Sequence, residues 1–253
     1  MSKEWYEGII CGFDLETTSP DPHEAIPVQI GFHTTMMWKG GEVELNHFSY
    51  ERIVDPEVEI TNSDIHGITT EYAKAHGAPL KEATEEMVWF IRAIAAARIP
   101  FVIYNAAYDW TIVKRYAGGD QSIDDIRLLD PLVIDRAVDR YVKGKGARQL
   151  GNTIMRYGLP EPSGELHSAK YDASLTVTLM RAMGRKHDRL KRGSDFAHLQ
   201  PEWALAQQRS LQAYFDKTPG NTRKVALGWP VQEQQRTDDW AKDAPKYVVK
   251  DKM

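Results

Sequence analysis

The chain has a single cysteine, Cys11, among 253 residues, so no internal disulfide can form. Set in an apolar run, Cys11 reads as a small packed hydrophobe. No apolar run approaches the roughly 20 residues of a membrane span. Lys3, Glu4 and Glu7 in the first eight residues argue against a signal peptide. A cytoplasmic protein without a membrane partner is expected. Positive charge is also in short supply, with 32 Lys and Arg against 36 Asp and Glu, a formal charge of −4. That excludes a module holding nucleic acid by bulk electrostatics alone. It leaves open a metal-dependent enzyme, because clustered acids lower the formal charge and bound cations invert it locally. There is no internal repeat or low-complexity tract, and 42% hydrophobic residues suffice for a sizeable core.

What the chain does have is Phe13-Asp14-Leu15-Glu16-Thr17-Thr18, following Ile9-Ile10-Cys11-Gly12. Alternate side chains of a strand share a face, so Asp14 and Glu16 project one way and Phe13 and Leu15 the other. Two acids so close repel one another in a largely buried site, and a divalent cation with oxygen ligands relieves that repulsion. A polar strand end entering a loop is the plain alternative.

Residues 26–32 read as a second strand and 42–54 as a third, with Gly40-Gly41 as the turn, which suggests an antiparallel meander. Thr69 is a candidate N-cap for a short helix stopping at Gly77, and 80–97 reads as a helix with Met87, Phe90 or Ile91, and Ile94 at helical spacing. A short strand over 101–104 leads to Asn105, read as the cap of a helix to Tyr116 with Asp109 in its first turns. A strand over 126–129 is broken by Asp130-Pro131, and helices follow over 132–142 and 147–157. His167 falls in the loop ahead of a helix that carries Asp172, with Leu175, Leu179 and Met183 toward the sheet. Pro201 opens a helix to about Phe215 that carries Trp203, Leu211 and Tyr214. Beyond Gly220 the chain is polar except for Trp229-Pro230, Trp240 and Tyr247-Val248-Val249, and it is expected to be extended or poorly ordered. A meander followed by alternating helices and strands is an α/β layer fold with a mixed sheet.

Asp14, Glu16, Asp109, His167 and Asp172 thus stand at the ends of core elements. In order and spacing this set resembles the DEDDh 3′-to-5′ exonucleases, the family of the proofreading epsilon subunit of bacterial DNA polymerase III. Phe13 through Thr18 matches the first motif, Asn105-Ala106-Ala107-Tyr108-Asp109 the second, and His167 through Asp172-Ala173 the third. Val28-Gln29-Ile30-Gly31 and Ile65-His66-Gly67-Ile68-Thr69 add to the likeness, which covers roughly residues 8–184. Tyr104, Tyr108 and Ser19-Pro20 stand where the family usually has His, Phe and Gly. Residues 198–230 resemble the appendage of exonuclease-domain proteins of actinobacteria and their phages.

The resemblance implies an RNase H-like fold, a mixed central sheet flanked by helices. It also implies an exonuclease domain over 1–187 and a small helical appendage with an extended tail over 188–253. Two Mg²⁺ (or Mn²⁺) are implied, with Asp14 bridging both, Glu16 and Asp172 completing the one that carries the attacking water, and Asp109 holding the other mainly through water. His167 would be the general base, since an unperturbed imidazole titrates at about 6.5. Leu15, Thr17, Thr18, Ile65, His66, Asn105 and Tyr108 would contact the substrate. Expected partners are DNA 3′ ends, single-stranded or frayed, and a polymerase in trans for any role in replication, repair or proofreading. An exoribonuclease is the first alternative. A catalytically silent nucleic-acid-binding or polymerase-docking domain is the second, although such a domain would be expected to lose one of the five residues. His66 reads equally as a surface or capping residue, and Tyr104 and Tyr108 as core. Lys143, Lys145 and Arg148 read as a solvated loop or a phosphate grip. The run of Arg181, Arg185, Lys186, Arg189, Lys191 and Arg192 reads as a backbone-tracking patch or a basic helix end.

Overall fold

The computed structural model describes residues 4–162, 168–191 and 195–233. His167, Arg192, Trp240 and Tyr247 lie outside them. In chain order the elements are β1 (Ile10–Thr17), β2 (Pro27–Trp38), β3 (Gly41–Glu44), β4 (Tyr50–Asp55), α1 (Ser63–His66), α2 (Thr70–His76) and β5 (Ala78–Pro79). There follow α3 (Leu80–Ala96), β6 (Phe101–Val102), α4 (Ala106–Ala117), β7 (Leu128–Leu129), α5 (Pro131–Val138), α6 (Leu150–Arg156), α7 (Ala169–Lys186), α8 (Asp188–Lys191) and α9 (Gln200–Lys217). The sheet order is β5-β4-β2-β1-β6-β7, with β3 also on β2. β2 is antiparallel to β1, β3 and β4, whereas β6 is parallel to β1 and β7 is parallel to β6. It is the mixed, helix-flanked sheet of the RNase H-like fold.

Strand parity divides the core. Cys11, Phe13 and Leu15 face α3 and α4 in a cluster with Phe32, Met87, Ile91, Phe101 and Trp110. The even positions of β1 face α7, where Ile10 packs with Val177, Met180 and Met183. This side is very close: a Cβ on Gly12 would lie 2.3 Å from the Ala173 carbonyl oxygen, and one on Gly31 would lie 2.2 Å from backbone atoms of Ala169 and Lys170. Only glycine lets α7 rest directly on β1 and β2.

Several sequence expectations need correction. The single strand over 42–54 is two, β3 and β4, both on the same edge of β2, because a 3₁₀ turn at Asn46–Phe48 bulges out between them. Strands β6 and β7 are two residues each, and α5 ends at Val138. There Arg148 reaches back to the Asp139 carbonyl, and its guanidinium pairs with the buried Asp135. Arg148 is therefore a brace and not a phosphate grip. Arg181 leaves the basic patch altogether: it is 1% exposed and is held by Glu42, Thr35 and the carbonyls of Tyr6 and Gly8. Within the same run Lys186 lies over the Tyr157 ring, Arg189 over the Trp203 ring, and Lys191 pairs with Asp188.

After α9 the chain has neither helix nor strand up to residue 233, yet it is tied down. Gln208 and Gln212 of α9 bond the backbone at Gly228 and Val225, the Gln232 N–H reaches the Thr111 hydroxyl, and Trp229 packs against the first core cluster. At the edge of the sheet the Gln200 amide donates to the Leu128 carbonyl (2.9 Å) and accepts from the Asp130 N–H (2.7 Å), taking the place of a further strand beside β7. No helix among the described residues is long and apolar enough to cross a membrane.

Candidate active site

β1 delivers Asp14 and Glu16 to the α7 face of the sheet, and the first turn of α7 delivers Asp172 to the same place. Carboxylate oxygens of the three lie within 4.8 Å of one another. Glu16 and Asp172 are buried, and Asp14 is partly open. α7 is seated there by β2 and β4, since Gln29 Oε1 accepts the Ala169 N–H (2.9 Å) and Glu51 Oε1 accepts the Lys170 N–H (3.2 Å). These are two of the orphan donors that begin every helix. The signature Val28-Gln29-Ile30-Gly31 thus has a structural meaning: Gln29 caps the helix carrying Asp172, and Gly31 lets it approach.

Asp109 comes from the opposite layer, in the first turn of α4, which begins at the C-terminal end of β6. It is buried outside the tight triad but acts on it electrostatically. Burial of the Asp14 carboxyl first, and then the negative charges of Asp109, Glu16 and Asp172, push it well above the usual range. Burial and then Asp172 raise Glu16 to about 7. Asp109 is raised chiefly by burial, with Glu16 and Asp130 adding to it and backbone N–H groups opposing. Carboxylates gathered without a cationic side chain among these influences are the donor set of hard divalent cations. The residues fit the metal ions that the sequence implies.

The remaining predicted residues divide. Thr17 and Tyr108 join β1 to α4 through their hydroxyls, and both meet the Ser19 carbonyl. Thr18 Oγ1 accepts the Ile26 N–H, and the Leu15 side chain is buried in the core. Ile65 is exposed, whereas His66 is buried, with Nδ1 accepting the Ile68 N–H. Asn62, which precedes α1, donates to the Thr17 carbonyl and ties this segment to the end of β1. Asn105 sits at the start of α4, as expected, but its side chain makes no capping bond. The cap is the carboxylate of Asp130, 25 residues later in sequence.

Tyr104 is a core residue, as its sequence setting suggests. It follows β6 and packs, partly buried, against the second core cluster with Ile10, Val102 and Leu129. Its hydroxyl donates to the Arg148 carbonyl (2.6 Å), and burial pushes its pKa up to about 12. It anchors the 139–149 loop to the segment between β6 and α4.

Comparisons with known proteins place this chain in a family. No curated protein matches the sequence. Among solved structures, E. coli Exonuclease I in complex with a dA16 oligonucleotide has a TM-score of 0.59 at 16% identity, covering 81% of this chain and 45% of that one. The zinc-bound form of the E. coli Exonuclease I complex with single-stranded DNA gives 0.58 at 16%, covering 83% and 46%. Cell-death related nuclease 4 gives 0.53 at 17%, covering 70% and 64%. The chain spans about half the length of Exonuclease I, and at these identities the likeness shows the fold. The family itself follows from the exonuclease family model RNase_T, which matches residues 11–180 and so takes in β1 from Cys11 onward, all of α4 and the first two thirds of α7. A match over two thirds of the chain, containing all four acids, means that this protein belongs to the RNase_T exonuclease family and is a hydrolytic nuclease of the DEDD type.

Proposed function

We propose that the protein is a 3′-to-5′ exonuclease that removes nucleoside 5′-monophosphates from DNA ends, single-stranded or frayed, with two Mg²⁺ or Mn²⁺ ions. The observation that carries this reading is the carboxylate triad of Asp14, Glu16 and Asp172, with buried Asp109 acting on it from α4. Asp14 would ligate both ions, Glu16 and Asp172 one, and Asp109 the other. Bound there, the pair would neutralise charge at the attacking and leaving oxygens of an in-line displacement. The protein's own part is to hold the acids on three rigid elements and to receive a proton. His167, two residues before α7, is the base we assign, and neutral imidazole suits that role near pH 7. Ser168, its neighbour, is anchored by a hydrogen bond from its hydroxyl to Glu51 (2.7 Å). Ile65 and His66 line the terminal base, and Thr17, Thr18, Asn105 and Tyr108 border the substrate, whereas Leu15, buried in the core on the opposite face of β1, supports them from behind. Residues 1–187 form the catalytic unit, and 188–253 form its appendage. The oligonucleotide complexes of Exonuclease I support DNA as the substrate class.

The test is digestion of 5′-labelled single-stranded DNA, paired and mispaired duplex, and RNA, side by side, with Mg²⁺, with Mn²⁺ and with chelator. A ladder shortening from the 3′ end of single-stranded DNA, abolished by chelator, is expected. Immediate release of the 5′ label would reverse the polarity, faster loss of RNA would replace the substrate, and undiminished activity in chelator would end the metal reading.

A further inference from the structure

Asp130 lies at the end of β7, 1% exposed, and its role is not catalytic in the scheme above. Five N–H groups converge on its carboxylate. Oδ1 accepts from Asn105 (3.1 Å), Leu132 (2.9 Å) and Val133 (3.4 Å), and Oδ2 accepts from Ala106 (2.9 Å) and the Trp229 indole (3.3 Å). All five are donors, so the ionised carboxylate is the form they fit. Two of them come from an unusual turn. Asn105 adopts the left-handed conformation (φ 63°, ψ 47°), followed directly by the first helical residue of α4. Successive N–H groups in such a turn form a concavity that favours an anion, and here that anion is Asp130. Leu132 and Val133 are the first N–H groups of α5, so one charge serves two helix N-termini. From the other side the Gln200 amide fixes the Asp130 backbone and the Trp229 indole fixes its side chain.

Asp109 lies three residues beyond Ala106, less than one helical turn from this cap. We propose that Asp130 is a positioning residue for the exonuclease reaction: its carboxylate sets the start of α4, and with it Asp109, while Gln200 and Trp229 of the C-terminal segment hold Asp130 in place. The proposal rests on Asp109 belonging to the metal-holding set. It assigns the appendage a share in building the site, and it makes the αL turn at Asn105 dependent on a charge supplied from 25 residues away.

Asp130→Asn is the discriminating change, since an amide keeps the shape yet turns N–H against N–H at one of the two oxygens. In the full-length chain, hydrogen exchange over residues 104–110 should quicken by about tenfold or more, with β1 and the first turns of α7 unchanged. kcat should fall by about 10- to 100-fold, KM for the oligonucleotide should stay within about threefold, and calorimetric Mn²⁺ affinity should weaken. Trp229→Phe, which removes one donor and keeps an aromatic ring, should move the same readouts in the same direction by less. Wild-type exchange over 104–110 in Asp130→Asn, or faster exchange with kcat within about threefold of wild type, would overturn the proposal. If Asp130→Asn does not fold, Trp229→Phe decides by the same two criteria. A wild-type protein inert on every nucleic acid would sink the functional reading instead, and Mn²⁺ affinity and exchange would still judge Asp130.

Discussion

Without metal, the protein should lose stability as the pH rises from about 5 to about 8, the reverse of a protein whose acids are salt-bridged. Glu16 shows why. Its carboxyl is moved from an ordinary 4.5 to about 7 by burial and by Asp172. At low pH it is protonated in both folded and unfolded chains and costs nothing. Once the pH passes 4.5 the unfolded chain gives up the proton first, so folding is penalised progressively until the folded form ionises near 7. At about 1.4 kcal/mol per pH unit over that interval, Glu16 alone costs about 3 kcal/mol at pH 8. For a chain of this size that is a fall in Tm of about 6–12 °C, and Asp14 and Asp109, also raised, act in the same direction. Calorimetric melting in chelator at pH 5, 6, 7 and 8, on wild type and Glu16→Gln, measures it. The variant should show a shallower decline and melt higher at pH 8, and Mn²⁺ should lift wild type more than the variant. A wild-type Tm that holds or climbs with pH, or a variant that falls as steeply, would refute the account of the site as unrelieved negative charge.

Asp14→Asn and Asp172→Asn should each lower turnover by about 100-fold or more while Tm in chelator is kept or raised, because each relieves repulsion; steady-state rates and melting on the same samples check both. Gly31→Ala should cost about 1–3 kcal/mol in denaturant unfolding and reduce turnover, since its methyl meets the first turn of α7 and must displace Asp172. Tyr108→Phe should cost about 1 kcal/mol by removing the hydroxyl that joins α4 to Thr17 and Ser19, with a loss in kcat/KM that the oligonucleotide assay measures.

Much of this was legible where the signal is local. The parity of β1, the Thr69 cap with its bond from the Tyr72 N–H, and the buried stripe of α3 follow from spacing and lie where spacing puts them. Three of the four acids assemble as the alternation of β1 and the start of α7 imply. What was not legible depends on distant partners. Asp130 looks in sequence like a strand breaker before proline, because a cap supplied from 25 residues away leaves no local pattern. Arg181 looks like one of six basic residues, because nothing near it in sequence announces Glu42, Thr35 and the carbonyls of Tyr6 and Gly8. Gln29 and Gly31 stood in the motif without a reason until α7 was laid across them. The third strand was read as continuous because the 3₁₀ turn at Asn46–Phe48 interrupts its pairing without carrying proline or glycine.

The single amide of Gln200 also closes one margin of the sheet. It covers the outward N–H of Asp130 and the outward carbonyl of Leu128 on that margin of the sheet. A chain stopped ahead of α9 would leave them bare, and an open strand margin is a template on which another molecule's strand can pair. Shortened forms of the protein should therefore self-associate, so their inactivity would report clumping as readily as lost chemistry. What the appendage supplies at this margin is a side-chain amide standing where a neighbouring strand's backbone would pair.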